Sequence, residues 1–227
     1  MKQRHNPFQV VQEFEQAVAE YAGAPYCVAV SSCTMALLLA IAYHLRELPL
    51  RDRPWVGRPV IDIPRRTYVS VPMSIIHAGA RPTFRDENWQ GAYRLNPLPI
   101  YDSARRLRSN MYSWSSRWSD RNENAPSLND EMVCLSFHWS KILGIQQGGA
   151  ILHSSKEADA WLRRARFDGR TENVAPKDDT FSFAGWHAYM SPEIAAEGLV
   201  RLSFLPDDNP DLLNDDYPDL SQMECFR

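Results

Sequence analysis

Three short polar segments carry the residue types that could do chemistry. Ser32, Cys33 and Thr34 lie between an apolar run and a long apolar stretch. At the start of a helix, their amides, the helix dipole and two hydroxyls would attract an anion, although a plain helix cap would have the same sequence. Asp102 closes a short apolar run and is followed by Ser103-Ala104, which suits either a buried carboxylate or an ordinary turn. Lys141 belongs to Ser136-Phe137-His138-Trp139-Ser140-Lys141 and precedes Gly144, Gly148 and Gly149. A lysine is usually solvated, but one set among aromatics and glycines can lose water, and its amine then becomes a nucleophile. Tyr68 adds an aromatic face between the first and second segments.

The periodicity predicts the elements that must position these groups. Asn6-Pro7 reads as a helix cap followed by proline in the first turn, with Gln9 at the third helical position. Phe8, Val11, Phe14, Val18 and Tyr21 recur at helical spacing up to Gly23. Tyr26–Val30 reads as a buried strand, and Met35 to about Leu45 as a helix. The segment Leu48–Pro59 is a loop rich in proline and arginine. Further strands are expected at Val60–Ile63, Arg81–Phe84, Ile100–Tyr101, Met132–Phe137 and Gly149–His153. Further helices are expected at about Val69–His77, at Lys156–Phe167 and from Ser191 through Leu202. Alternating strands and helices predict an α/β class, a three-layer sandwich with a mostly parallel central sheet. Functional groups should gather at the carboxyl ends of its strands.

On such a scaffold, a phosphate cradle, a carboxylate and a strand-end lysine, in that order, are the parts that hold pyridoxal phosphate (PLP). The lysine forms the Schiff base, the acid keeps the pyridine nitrogen protonated, and Tyr68 is placed to stack on the ring.

From about Phe14 to Leu202 the chain resembles the DegT/DnrJ/StrS family of sugar aminotransferases, which have the fold type I of PLP-dependent transferases. The Ser32-Cys33-Thr34 turn is similar to the family's Ser-Gly-Thr phosphate loop. Thr67-Tyr68-Val69-Ser70, with Ala78-Gly79-Ala80-Arg81-Pro82, resembles the segment of the stacking aromatic. Tyr101-Asp102-Ser103-Ala104 resembles Glu-Asp-Ala-Ala, and Ser136 through Ala150 resembles the Schiff-base motif. Gly185-Trp186-His187-Ala188-Tyr189-Met190 is similar to a segment that, in the family, reaches toward the neighbouring subunit's cofactor phosphate.

The resemblance implies Lys141 and Asp102 as catalytic residues. It implies Ser32, Cys33, Thr34, Tyr68, Ala104, Ser136, His138 and His187 as further cofactor contacts, with no metal. The implied reaction moves an amino group from an amino-acid donor such as glutamate to a keto acceptor, by resemblance a keto-sugar nucleotide. A homodimer is expected, because the family builds its site at the subunit interface. Decarboxylation of an amino acid, free or carried on a nucleotide or nucleic acid, would use the same parts, and a non-catalytic remnant of the fold is a third reading. Departures from the family pattern are Cys33 in place of glycine, Arg105 in place of histidine or glutamine, and His187 and Tyr189 in place of asparagine and arginine. Asp86–Pro99 is too short for the family's strand and helix there, and the chain ends soon after Leu202, so a reduced form without the small domain is expected.

Composition sets the outer limits. The 227 residues are 44% hydrophobic and 23% charged, ordinary for a globular chain rather than a disordered one. The four cysteines are widely separated and form no Cys-x-x-Cys pair, so a zinc ribbon or redox dithiol is not expected. No membrane span or secretory leader is evident, and a reduced, cytoplasmic protein is the expectation. The net charge of −3 hides an asymmetry: residues 206–227 hold seven acids and one base, and residues 1–205 hold 24 bases and 21 acids. A PLP-binding domain over 1–205 and an acidic irregular tail over 206–227 are expected. Arginines cluster at Arg51/Arg53/Arg58, Arg65/Arg66, Arg105/Arg106/Arg108 and Arg163/Arg164/Arg166/Arg170. Arginine favours bidentate contacts to carboxylate and phosphate, but the near-neutral total weighs against nucleic acid as a partner.

Overall fold

A computed structural model describes residues 6, 8–46, 58–112, 131–213 and 217–226. Pro7, most of the expected 48–59 loop with Arg51 and Arg53, and the acids Asp215 and Asp216 lie outside the described residues.

The apolar runs form the strands because residues buried on both sides need no alternation. In β1 (Tyr26–Val30), β6 (Met132–Ser136) and β7 (Gly149–His153) nearly every residue is buried. Successive side chains still point to opposite faces. Val28, Val30, Cys134 and Ile151 pack under α2 (Cys33–Leu45), α3 (Ser70–His77) and α4 (Lys156–Ala165). Cys27, Ala29, Val133 and Leu152 pack under α1 (Gln9–Ala22) and α5 (Pro192–Leu202). The expected three-layer α/β sandwich follows from those two faces.

The strand directions are more mixed than the sequence suggested. The main sheet has the order β1-β7-β6-β5-β4, with β5 at Ile100–Asp102 and β4 at Tyr93–Arg94. A second, parallel pair joins β2 (Val60–Pro64) to β3 (Arg81–Arg85). Asn96 stitches the two sheets together, exchanging backbone hydrogen bonds of 2.7 and 3.0 Å with Asp62. In the main sheet only β5–β6 is parallel; β1–β7, β6–β7 and β4–β5 are antiparallel. The reason lies in the connections. No helix crosses over between β6 and β7, or in the tight link between β4 and β5, so each pair turns back on itself. The remaining strands β1, β2, β3, β5 and β6 run one way, and their carboxyl ends share one edge.

Local signals set the helix ends. Ser32, Ser155 and Ser191 cap α2, α4 and α5 through their hydroxyls. The first helix departs from the expected cap: Phe8 is its N-cap, and the Asn6 carboxamide instead accepts the Phe8 N–H at 3.0 Å. Helix α4 ends at Ala165 rather than Phe167, because Phe167 pairs with His187 in an isolated bridge. No helix among the described residues is long and apolar enough to cross a membrane.

In its described residues the acidic C-terminal segment is irregular apart from two 3-10 turns, and it lies against the sandwich. Leu220 is fully buried, and Asn209 and Phe226 are nearly so. Asp211 receives two bonds from Arg106, at 2.9 and 2.5 Å, and one from Arg108 at 2.9 Å. Part of the arginine clustering is therefore matched within the chain.

Candidate active site

The carboxyl edge of the aligned strands opens into a cavity of about 380 Å³, within the range typical of small-molecule sites. The three polar segments and Tyr68 reach it by different routes.

From β1 the chain passes through Ser32 directly into α2. Ser32 is extended (φ −167°), and its Oγ accepts the Met35 N–H at 3.2 Å. The hydroxyl is thus a helix cap, as the plainer reading had it, and the residue also lines the cavity. The first-turn amides of Cys33 and Thr34 have no acceptor within the helix, and they lie at the positive end of a 13-residue dipole. Thr34 Oγ1 donates to Ser70 Oγ at 2.8 Å, and Ser74 Oγ donates to the Thr34 carbonyl at 3.1 Å. These bonds bring the N-termini of α2 and α3 to the same wall. Gly149 makes the approach possible: a Cβ there would fall 2.5 Å from Cys33 N and 2.6 Å from Ser32 C. Burial, with the Asp102 charge second, pushes the Cys33 thiol well above its usual pKa, so Cys33 is packing and not a thiolate.

Asp102 ends β5 with its carboxylate buried. Oδ1 accepts the Ala104 N–H at 3.0 Å, and Oδ2 accepts the Tyr93 hydroxyl at 2.8 Å. Tyr93 donates its only hydrogen there, so its 2.6 Å contact with Thr67 Oγ1 has the threonine as donor. Burial pushes the Asp102 pKa up, while these donors and the charges of Lys141 and Arg105 pull the other way. The result is a desolvated acid surrounded by groups that favour its anion.

Lys141 follows β6 on a turn fixed from both sides. Phe137 N donates to the Gly148 carbonyl at 2.9 Å, and Ile145 N to the Phe137 carbonyl at 3.0 Å. Lys141 N donates to the His138 carbonyl at 2.8 Å. Phe137, Leu143 and Ile145 are buried and anchor the turn, while Lys141 lines the cavity with Ser136 and His138. His138 Nδ1 lies 2.9 Å from Ser140 Oγ, at the exposed rim. Tyr68 stands just before α3, 56% exposed, and supplies an aromatic wall.

Nine of the ten expected site residues therefore line one cavity: Ser32, Cys33, Thr34, Tyr68, Asp102, Ala104, Ser136, His138 and Lys141. His187 does not. Its side chain is 71% exposed, and it pairs with Asp168 at 3.0 Å, outside the cavity lining. The fold holds its segment against Phe167 and Tyr189 instead.

Sequence reasoning missed four contributors. Tyr93 and Thr67 complete the support of Asp102, and Trp89 and Tyr217 line the cavity. The need of a buried carboxylate for donors could have prompted a search for Tyr93. Nothing in the local sequence marks Tyr217, because its place depends on how the C-terminal segment docks.

The model of the DegT/DnrJ/EryC1/StrS aminotransferase family matches residues 3–97. The spore coat polysaccharide biosynthesis protein SpsC of Bacillus subtilis is 41% identical over 90 residues, which are 40% of this chain and 21% of that protein. Solved structures extend the likeness along the chain. A DegT DnrJ EryC1 StrS aminotransferase from Brucella abortus superposes with a TM-score of 0.61 at 20% identity, over 88% of this chain and 60% of that one. AtS13 from Actinomadura melliaura gives 0.65 at 20% identity, over 86% and 60%. PseC from Helicobacter pylori, an aminotransferase involved in the biosynthesis of pseudoaminic acid, gives 0.63 at 15% identity, over 89% and 59%. The chain spans about a fifth of the length of SpsC and about three-fifths of these structures. In sequence over residues 3–97, and in fold over most of its described length, the chain resembles the DegT/DnrJ/EryC1/StrS aminotransferase family.

Proposed function

We propose that this protein is a PLP-dependent aminotransferase that moves an amino group from an amino acid to a keto acceptor. One observation carries the reading: Lys141, Asp102, Tyr68 and the Ser32-Cys33-Thr34 turn, far apart in sequence, line a single cavity. These residues fit PLP in chemical type. A helix N-terminus with hydroxyls suits its phosphate, a buried carboxylate suits its pyridine nitrogen, an aromatic ring suits its face, and a lysine suits its aldehyde. When bound, the cofactor supplies an electrophilic carbon and a ring that accepts the electron pair released at the substrate carbon.

The protein's residues do the rest. The Cys33 and Thr34 amides, with the hydroxyls of Ser32 and Ser136, would bind the phosphate and fix the ring's register, while the Thr34 hydroxyl is spent on Ser70 Oγ. Asp102, supported by Tyr93 and Ala104, holds the proton on the ring nitrogen. Tyr68 covers one face and limits water there. Lys141 Nζ would hold the aldehyde carbon until the donor's amine displaces it, and the freed lysine amine would then carry the proton at the amino-bearing carbon. The names of SpsC and PseC point to sugars as the acceptor class, and a keto-sugar nucleotide is the acceptor we propose. A homodimer is proposed with it, in which the exposed His187 segment would face the neighbouring subunit.

The test is an absorbance titration with PLP of the wild type and of Lys141→Ala, followed by L-glutamate. The expected result is a visible band that needs Lys141 and is replaced by the absorbance of the pyridoxamine form when glutamate is added. A Lys141-dependent band indifferent to glutamate would move the reading to another donor or to decarboxylation. Absence of any Lys141-dependent band would overturn it.

A further inference from the structure

An amino-acid donor that presents its amine near Lys141 also brings a carboxylate into the cavity, and that carboxylate needs a cation. Among the described residues lining the cavity, the lysine and arginine side chains are Lys141 and Arg105, and of the two the arginine keeps its charge at any working pH. Lys141 serves the amine chemistry in the reading above; Arg105 is the other cation of the wall, and a guanidinium with five N–H donors can hold several partners at once. It lies three residues beyond Asp102, close enough for its charge to favour the Asp102 anion.

Arg105 is also held. Its Nε donates to the Tyr217 hydroxyl at 2.9 Å, and its guanidinium carbon lies 4.5 Å from the centre of the Tyr217 ring. A guanidinium in contact with an aromatic ring and anchored through Nε keeps its orientation, which lowers the entropy lost when it meets a carboxylate. Tyr217 is fixed in turn. Its ring is near-parallel to Trp89, 17° between planes at 6.3 Å, and Trp89 Nε1 donates to the Arg66 carbonyl at 2.8 Å. The chain is pinned on both sides of Tyr217. Before it, Asp211 grips Arg106 and Arg108, and Leu212 N donates to the Arg105 carbonyl at 2.9 Å. After it, Leu220 is buried and its N–H donates to the Arg65 carbonyl at 2.9 Å. The C-terminal segment is thus part of the cavity wall, and its docking sets the posture of Arg105.

We propose that Arg105 binds the carboxylate of the amino-acid donor and that Tyr217, delivered by the C-terminal segment, is the residue that positions it. This rests on the PLP reading. The experiment uses the PLP-loaded full chain and two probes. L-glutamate reports the concentration dependence of amino transfer to the cofactor. Glutarate, a dicarboxylate without an amine, reports binding alone through its perturbation of the visible band.

Arg105→Gln should take up PLP like the wild type but weaken glutarate binding and raise the half-saturating L-glutamate concentration, each by about tenfold or more. Arg105→Lys should recover only part of that loss, because a point charge does not reproduce the fork. Tyr217→Phe, which keeps the ring and removes the hydroxyl, should shift half-saturation by a few-fold with the limiting rate unchanged. An Arg105→Gln protein that binds PLP and keeps wild-type glutarate and glutamate affinities overturns the assignment, whatever its thermal stability. Failure of the wild type to take up PLP overturns the functional reading and this inference together, so the two failures are distinguishable.

Discussion

Asp102 shows how one residue type takes its meaning from its surroundings. A carboxylate at a strand end is ordinary, but this one is buried and its two oxygens accept from Ala104 N–H and Tyr93 O–H. Asn at this position can keep both contacts, since its oxygen can accept from Ala104 and its amide can donate to Tyr93. The charge is lost, and the Tyr93 hydrogen turns from Asp102 to Thr67 Oγ1, reversing that 2.6 Å bond. Asp102→Asn is therefore expected to fold, to bind PLP, and to lose about 10²-fold in the rate of amino transfer from glutamate, as for other preorganised electrostatic groups. Stopped-flow absorbance on the PLP-loaded variant checks this, and a rate within threefold of the wild type would remove Asp102 from the mechanism. Residue types alone marked Asp102, Lys141 and the Ser32-Cys33-Thr34 turn as possible chemistry. They could not mark Tyr93 or Thr67, whose part comes from a hydrogen-bond chain across three separate segments.

At the scale of elements, the anion turn depends on a close meeting of α2 with the start of β7. Ser32 pairs with Gly148 in an isolated bridge, and the Gly149 position has no room for a side chain. The neighbours of a Cβ at Gly149 would be backbone atoms, Cys33 N at 2.5 Å and Leu135 O at 2.8 Å, which cannot rotate away. Gly149→Ala must therefore displace either the turn or the β6–β7 pairing. The expected cost is about 1–3 kcal/mol of stability, as for overpacking, with a PLP affinity at least tenfold weaker. Urea unfolding and a PLP titration of the same sample would test it, and unchanged values in both would show that the turn can move freely. The helix and strand positions themselves were legible, because buried runs such as Tyr26–Val30 and serine caps such as Ser191 are local signals. The antiparallel placing of β7 was not, because strand direction depends on the connection and on which neighbour lies open.

The whole molecule is held by two cores on opposite faces of the sheet and by charges buried at their margin. Glu15 is 3% exposed and is bound by Arg163 at 2.7 Å, by Arg166, and by Ala29 N–H at 2.8 Å. Burial raises its pKa, but the two guanidinium groups prevail and hold it below the usual carboxylate value. His153, 1% exposed and stacked on Tyr26, has the opposite balance. Burial outweighs the nearby Asp159 and holds its pKa down, from 6.5 to about 4. Between those values the unfolded chain binds a proton that the folded chain does not. This contribution to stability is therefore complete above pH 6.5 and is lost as pH falls toward 4, at up to about 1.4 kcal/mol per pH unit. His153→Phe should flatten the decline in melting temperature between pH 6.5 and 4.5 relative to the wild type. Parallel profiles for the two proteins would show that His153 does not drive it.

The sequence by itself determined the alternation of strands and helices, the two-faced burial and the residues able to do chemistry, because each of these is written in local pattern and side-chain type. It also marked the acidic segment after residue 205 and the arginine clusters as charge asymmetries. Only the tertiary structure decided that nine of ten expected site residues share one cavity and that His187 stands apart. It alone decided that the acidic segment docks on Arg106 and Arg108 and places Tyr217 beside Arg105. The physical reason is the same in each case: a contact between residues a hundred positions apart depends on how the chain closes on itself, and local pattern contains no record of that closure.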